Sequence, residues 1–166
     1  MILDGGPCEV VVESTIIDLS GDQPVIRRPG MISATEIAAV MDMPFIVGKS
    51  TESQRTPGMH HLHYAPQTMT ELVKTNDMLT LLQNIKTRPI AVLLHSQWGL
   101  PLISGVQTIH MPAEAINYAH DLYDTLRTVD NQHYQKILIE AVPEDVEWEA
   151  IRDRLFKATG SKGLIT

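Results

Sequence analysis

The sequence predicts an α/β protein: a mainly parallel sheet with helices on both faces over residues 68–166, preceded by a β-hairpin and a connecting segment. Three observations predict it. The apolar runs Pro89–His95 and Lys136–Val142 are continuous rather than alternating, as strands are when a sheet is covered on both faces. Around them apolar residues recur at helical spacing, with Ala115, Ala119, Leu122, Leu126 and Val129 in one stripe and Trp148, Ile151, Leu155 and Ala158 in another. Strand and helix patterns also alternate along the chain, which is the connectivity of a parallel sheet.

From the N-terminal side, Val10-Val11-Val12 and Thr15-Ile16-Ile17 flank Glu13-Ser14, and this β-branched run reads as a strand from Val10 to Asp18. Ser20-Gly21-Asp22 is a turn, and Pro24-Val25-Ile26-Arg27-Arg28 is the returning strand, ended by Pro29-Gly30. Ser33-Ala34-Thr35-Glu36 has the spacing of a capping box, in which the serine accepts from the amide three residues on and the glutamate reaches back. A short helix through Ile37 and Val40 follows and ends before Pro44. A two-stranded hairpin is marginal in water, so the aliphatic strand needs cover from the rest of the chain, a second copy or another polypeptide.

After residue 68 the elements come in regular succession. Met69–Val73 is a short strand, and Thr75-Asn76-Asp77 starts a helix carrying Met78, Leu79, Leu82 and Ile85. Pro89–His95 is a buried strand and Thr108–Met111 a brief one. Pro112 starts the helix of the first apolar stripe. Lys136–Val142 is the next buried strand. The last helix has Glu144, Asp145 and Glu147 at its start, Arg154 and Lys157 near its end and Gly160 as its stop, an order that suits the helix dipole.

The totals exclude several classes. A net charge of −7 argues against a nucleic-acid surface over the whole molecule, because phosphate binding needs a basic face. The single cysteine, Cys8, cannot form an internal disulfide, which fits a reducing cytoplasm. No apolar run approaches the ~20 residues of a membrane helix, and Met-Ile-Leu-Asp-Gly-Gly is no signal peptide. The phosphate-cradling patterns Gly-x-Gly-x-x-Gly and Gly-x-x-x-x-Gly-Lys follow none of the strands. Ser96-Gln97-Trp98-Gly99 follows a strand, the right place for a ligand in an open sheet, without naming one.

Two places carry chemistry. Ser14 and Thr15 interrupt the aliphatic strand and Arg28 ends its partner; a hydroxyl beside a guanidinium fork suits a carboxylate or phosphate. Arg at a strand end is also commonly just solvated. The second place is the connecting segment Thr56–Pro66, with His60, His61, His63 and Tyr64 between a Pro-Gly turn and a proline. A zinc site is disfavoured because the loop reads as extended, adjacent His60 and His61 point apart, and no cysteine is near. A solvated polar linker and a loop that closes over a ligand both fit.

Several stretches match one family together and in order. Asp4-Gly5-Gly6-Pro7-Cys8, Val12-Glu13-Ser14-Thr15-Ile16, Arg28-Pro29-Gly30, Pro57-Gly58-Met59 and His63-Tyr64-Ala65-Pro66 resemble the two-domain threonylcarbamoyl-AMP synthases, in which a YrdC-like domain precedes a Sua-type domain. Tyr118-Ala119, Leu122-Tyr123, Leu126-Arg127, Glu140-Ala141-Val142-Pro143, Arg154-Leu155 and Lys157-Ala158 continue the resemblance to the C-terminal end. It implies residues 1–44 as the end of the YrdC-like domain, 45–67 as the linker, and 68–166 as a Rossmann-like Sua-type domain.

The family joins threonine, bicarbonate and ATP into threonylcarbamoyl-AMP and pyrophosphate, for the threonylcarbamoyladenosine modification of tRNA. The resemblance implies that Ser14 and His63 bind threonine, that Arg28 binds the nucleotide, and that Tyr64 belongs to the linker that closes the active site. It implies no catalytic residue in this chain; loop geometry, net charge and the lack of a long apolar run already argue against a metal ligand, direct nucleic-acid contact and a membrane. Val11 stands where the family usually has Gly, and His61-Leu62 where it usually has Tyr-Arg.

The family's synthase domain extends upstream of Asp4-Gly5-Gly6, and its Lys/Arg cluster for the ATP phosphates has no counterpart here. The expectation is therefore a C-terminal portion of the synthase, inactive alone and completed by a separately encoded N-terminal half. The alternative is a non-catalytic Rossmann-like module that binds a nucleotide or a protein. With the strand's family partners missing, the sequence also predicts either homodimerisation through residues 10–17 or disorder before Pro44.

Overall fold

The computed structural model describes residues 1, 3, 6, 12–41, 46–47, 65–96 and 99–160. Its larger sheet has four strands: β4 (Thr70–Val73), β5 (Ile90–Leu94), β6 (Val106–His110) and β7 (Lys136–Glu140). Their order is β4-β7-β5-β6, and all three pairings are parallel. β5 is buried at every position and β7 at its last four, so the continuous apolar runs do mark the two central strands.

Helix α2 (Thr75–Asn84) covers one face, packing Met78 and Leu82 against Val73, Ile90, Val92, Leu94 and Leu138. Helices α3 (Ala115–Asp130) and α4 (Glu149–Ala158) cover the other. Ala119, Leu122, Ile151 and Leu155 meet Ala91, Leu93, Ile137 and Ile139 there. Tyr118 and Trp148 join the same layer edge to face, their ring centroids 5.4 Å apart. Alternate residues of each strand thus feed opposite layers, as the period of 2 requires. This is the helix-covered, mainly parallel sheet that the sequence predicts.

Two boundaries differ from the prediction. α3 begins at Ala115 rather than Pro112, because the Met111 amide still donates to the Leu94 carbonyl at 2.7 Å and Glu114 is extended (φ −92°, ψ 137°). The chain has to leave the sheet edge before it can coil. Residues Val146–Trp148 form a 3-10 turn ahead of α4, so Glu144, Asp145 and Glu147 precede the helix proper.

The smaller sheet has β1 (Ile16–Asp18) antiparallel to β2 (Val25–Arg28), with β3 (Ile46–Val47) parallel to β2 on its other side. The hairpin is present, with a register irregularity between Ile16 and Ile17; the third strand was not predicted. Asp18 holds the turn. Its carboxylate accepts from the Ser20 amide (2.9 Å) and hydroxyl (2.6 Å) and from Arg27 Nη2 (2.7 Å). Those Ser20 bonds, with Arg27, bring its pKa down to about 2.

Helix α1 (Ala34–Met41) starts on the predicted capping box: the Ser33 amide donates to Glu36 at 2.8 Å and the Glu36 amide to Ser33 Oγ at 3.2 Å.

The predicted strand from Val10 is regular only over Ile16–Asp18. Val12 instead enters the buried cluster of α3 and α4, so the α/β unit covers it and it needs no second copy for that. Disorder before Pro44 does not hold for residues 12–41, which carry β1, β2 and α1. Residues 10 and 11, Cys8, His60, His61, His63 and Tyr64 lie outside the described residues.

Candidate functional site: the corner of Ser14 and Arg28

Residues Ser14 and Arg28 come together where β1 and β2 meet the α/β unit. Arg28 is 7% exposed, so it is not the solvated strand-end arginine that composition alone allows. Its Nε donates to the Ser14 carbonyl at 3.0 Å and its Nη2 reaches the Ser14 hydroxyl at 3.4 Å. The Arg28-Pro29-Gly30 turn makes this possible. A Cβ on Gly30 would lie 2.3 Å from the Thr15 nitrogen and 2.7 Å from the Ser14 carbonyl carbon, so only glycine lets the two backbones approach. Thr15 Oγ1 closes the corner by donating to the Ile32 carbonyl at 2.7 Å.

The corner presents an exposed hydroxyl with a buried cation behind it. Beside it opens a mostly apolar cavity of about 510 Å³, walled by Val12, Ser14, Thr15, Ile17, Ile32 and Ile37 among others. A hydroxyl, a guanidinium and an apolar wall can hold a small anionic molecule with an aliphatic part. His63 and Tyr64 are not among the described residues, so their place relative to this corner is not part of the geometry. Among the described residues no group of three or more His, Cys, Asp and Glu is arranged to hold a metal ion, and no helix is long and apolar enough to cross a membrane.

Two charged networks escaped the sequence reading. In the first, Arg154 of α4 is 4% exposed and its Nε donates to Glu13 Oε2 at 2.6 Å; the same guanidinium pairs with Asp153. Tyr123 of α3 donates to Glu13 Oε2 at 3.2 Å. Burial pushes the Glu13 carboxyl up, but its own backbone amide and Arg154 outweigh that and leave it below the usual range. The sequence carries a signal for this pair: Ile151, Arg154, Leu155 and Ala158 share one helical face, and an arginine there needs a buried partner.

The second network centres on Glu140, the last residue of β7, whose side chain is fully buried. It accepts from Thr75 Oγ1 (2.8 Å), Ser96 Oγ (2.6 Å), the His95 amide (2.9 Å) and the Ser96 amide (3.0 Å). His95 Nδ1 lies 3.1 Å away, out of line for a hydrogen bond. Burial would raise this carboxyl, yet the contacts of His95, Ser96 and Thr75 hold it well below the usual range. β4 and β7 are neighbours whose chains leave to opposite faces, so Glu140 sits at the topological switch point, where open sheets bind ligands. Here the chain's own donors satisfy it.

The fold and the corner define an α/β protein that joins a small β unit bearing a hydroxyl–guanidinium pair to a helix-covered parallel sheet. Residues 32–160 match the family described as threonylcarbamoyl-AMP synthase, C-terminal domain, and the chain belongs to that family. The threonylcarbamoyl-AMP synthase of Bacillus subtilis is 32% identical over 170 residues, 97% of this chain and 49% of the relative. That of Schizosaccharomyces pombe is 32% identical over 95% of this chain and 44% of its own length. A crystal structure of Pyrococcus abyssi Sua5 complexed with L-threonine superposes with a TM-score of 0.80 at 28% identity, over 97% of this chain and 49% of that one. The chain thus spans about half the length of the relatives it matches.

Proposed function

We propose that this chain supplies the C-terminal part of an L-threonylcarbamoyladenylate synthase and works with the N-terminal half that its relatives carry. The reaction joins threonine, bicarbonate and ATP into threonylcarbamoyl-AMP, releasing pyrophosphate and water, and feeds tRNA modification in the cytoplasm. ATP is a substrate here, bound chiefly by the YrdC-like nucleotidyltransferase portion. The observation that carries this reading is the Ser14–Arg28 contact, formed by the Glu-Ser-Thr and Arg-Pro-Gly motifs of a chain in this family.

In this reading Ser14 offers its hydroxyl to threonine while Arg28 fixes that hydroxyl and places a positive charge behind it for the nucleotide. His63 contributes to the threonine site and Tyr64 to the linker that closes it. The relative solved with L-threonine supports the substrate class. This chain's part is to bind and orient.

The test joins this chain to the N-terminal half of the Bacillus subtilis relative and measures pyrophosphate release. The expected result is release that requires ATP, threonine and bicarbonate together. A folded fusion that releases none, or releases pyrophosphate without threonine, overturns the proposal.

A further inference from the structure

We infer that Glu13 and Arg154 are positioning residues: their ion pair ties the backbone that carries Ser14 to the α/β unit and so sets the geometry of the corner. The inference rests on the reading of Ser14 and Arg28 as a substrate site. Ser14 is held from two sides. Arg28 grips its carbonyl and hydroxyl from the small sheet, and Gly30 leaves room for the two backbones to approach. On the other side, Val12 is buried in the α3–α4 layer and Glu13 is held by Arg154. Arg154 Nη2 also lies 3.4 Å from the Glu13 carbonyl, so the guanidinium fixes main chain as well as side chain.

The pair is built for permanence. Arg154 is almost completely buried, flanked by a second carboxylate at Asp153, which Lys157 neutralises at 2.6 Å. Removing Arg154 strips Glu13 of its cation, whereas removing Glu13 leaves the buried guanidinium with Asp153 alone.

The same surface of α3 also holds the end of the linker. Asp130 accepts from the Gln67 and Thr68 amides at 3.0 and 2.8 Å. Ala65 and Pro66 share a cavity of about 360 Å³ with Glu13, Tyr123 and Asp130. One rigid helix pair therefore sets both the strap that bears Ser14 and the point where the segment bearing His63 and Tyr64 returns. The α/β unit acts on the substrate site without touching the substrate.

The test is hydrogen exchange on the chain as wild type, Glu13→Gln, Arg154→Met and the double variant, and on each of these joined to the N-terminal half of the Bacillus subtilis relative with and without L-threonine. Exchange across residues 12–18 is expected to speed up roughly tenfold or more in each single variant while β5 and β7 keep their protection. The double variant is expected to be no faster than Arg154→Met, because both changes remove one contact. Unchanged exchange over residues 12–18 in the single variants, or strictly additive effects, overturns the inference. Should Arg154→Met loosen the whole sheet, Glu13→Gln carries the same test, since Asp153 still pairs the buried guanidinium. The threonine arm separates the two readings. Protection of residues 12–18 by threonine in the wild type, at roughly tenfold higher concentration in the variants, supports positioning of the site. Loss of the anchor with no threonine effect in the wild type overturns the substrate reading of Ser14 and leaves the anchor standing.

Discussion

The two sheets of this molecule are built to different standards. In the α/β unit, nine of the ten positions of β5 and β7 are buried and helices cover both faces. In the β unit, α1 buries none of its eight residues, and Val40 (87%) and Ile32 (60%) stand exposed. The first unit is stabilised by a core, at roughly 25 cal/mol per Å² of apolar surface removed from water. The second is held by specific contacts: a capping box, the Asp18 turn, the Arg28–Ser14 grip and the Glu13–Arg154 pair. Rigidity is thus borrowed from the α/β unit and delivered to the corner through a few named groups.

The largest expected effect breaks the α/β side. Leu138→Ala empties a site with no exposure and should cost about 2–5 kcal/mol in urea unfolding, whereas Val40→Ala in α1 should stay within about 0.5 kcal/mol. Equal losses at the two positions would erase the contrast.

Next comes Glu140→Gln, which leaves a neutral amide facing donors and should cost on the order of 1–3 kcal/mol at neutral pH. The sign of its pH dependence follows from the lowered carboxyl. Glu140 stabilises the fold fully above its unfolded pKa, about 4.3, and that contribution fades as pH falls toward the folded value. Acid titration of stability in Glu140→Gln should therefore be flatter than in the wild type; parallel curves would deny the carboxylate its role.

Gly30→Ala should act on the β unit alone, at about 1–3 kcal/mol, since its Cβ would strike the Thr15 backbone. Hydrogen exchange should then rise over residues 14–32 and not over β7.

The α/β unit was legible in the sequence because burial on both faces writes itself as continuous apolar runs and full helical stripes. Ala115, Ala119, Leu122, Leu126 and Val129 are all buried, as their spacing says. The β unit was legible only in its local chemistry: the Ser33–Glu36 box and the hairpin are there, whereas β3 is a two-residue strand far in sequence from its partner and leaves almost no pattern. The corner was half legible. Motif order pointed to Ser14 and Arg28, but no periodicity shows that a guanidinium folds back onto a carbonyl fourteen residues earlier. Glu13–Arg154 spans 141 positions, and Glu140 hid inside the apolar run Lys136–Val142 as one odd carboxylate. Each was visible as a charge in an apolar context, without a partner named.

The central claim is that this corner binds substrate while the α/β unit holds it in place. The most direct measurement is the steady-state kinetics of the joined enzyme carrying Ser14→Ala or Arg28→Lys. The account predicts that Ser14→Ala raises the threonine KM roughly tenfold or more and leaves the ATP KM near wild type. Arg28→Lys should impair both, because a lysine cannot hold the Ser14 carbonyl and hydroxyl with one planar fork. Wild-type KM values for both substrates in both variants would contradict the account.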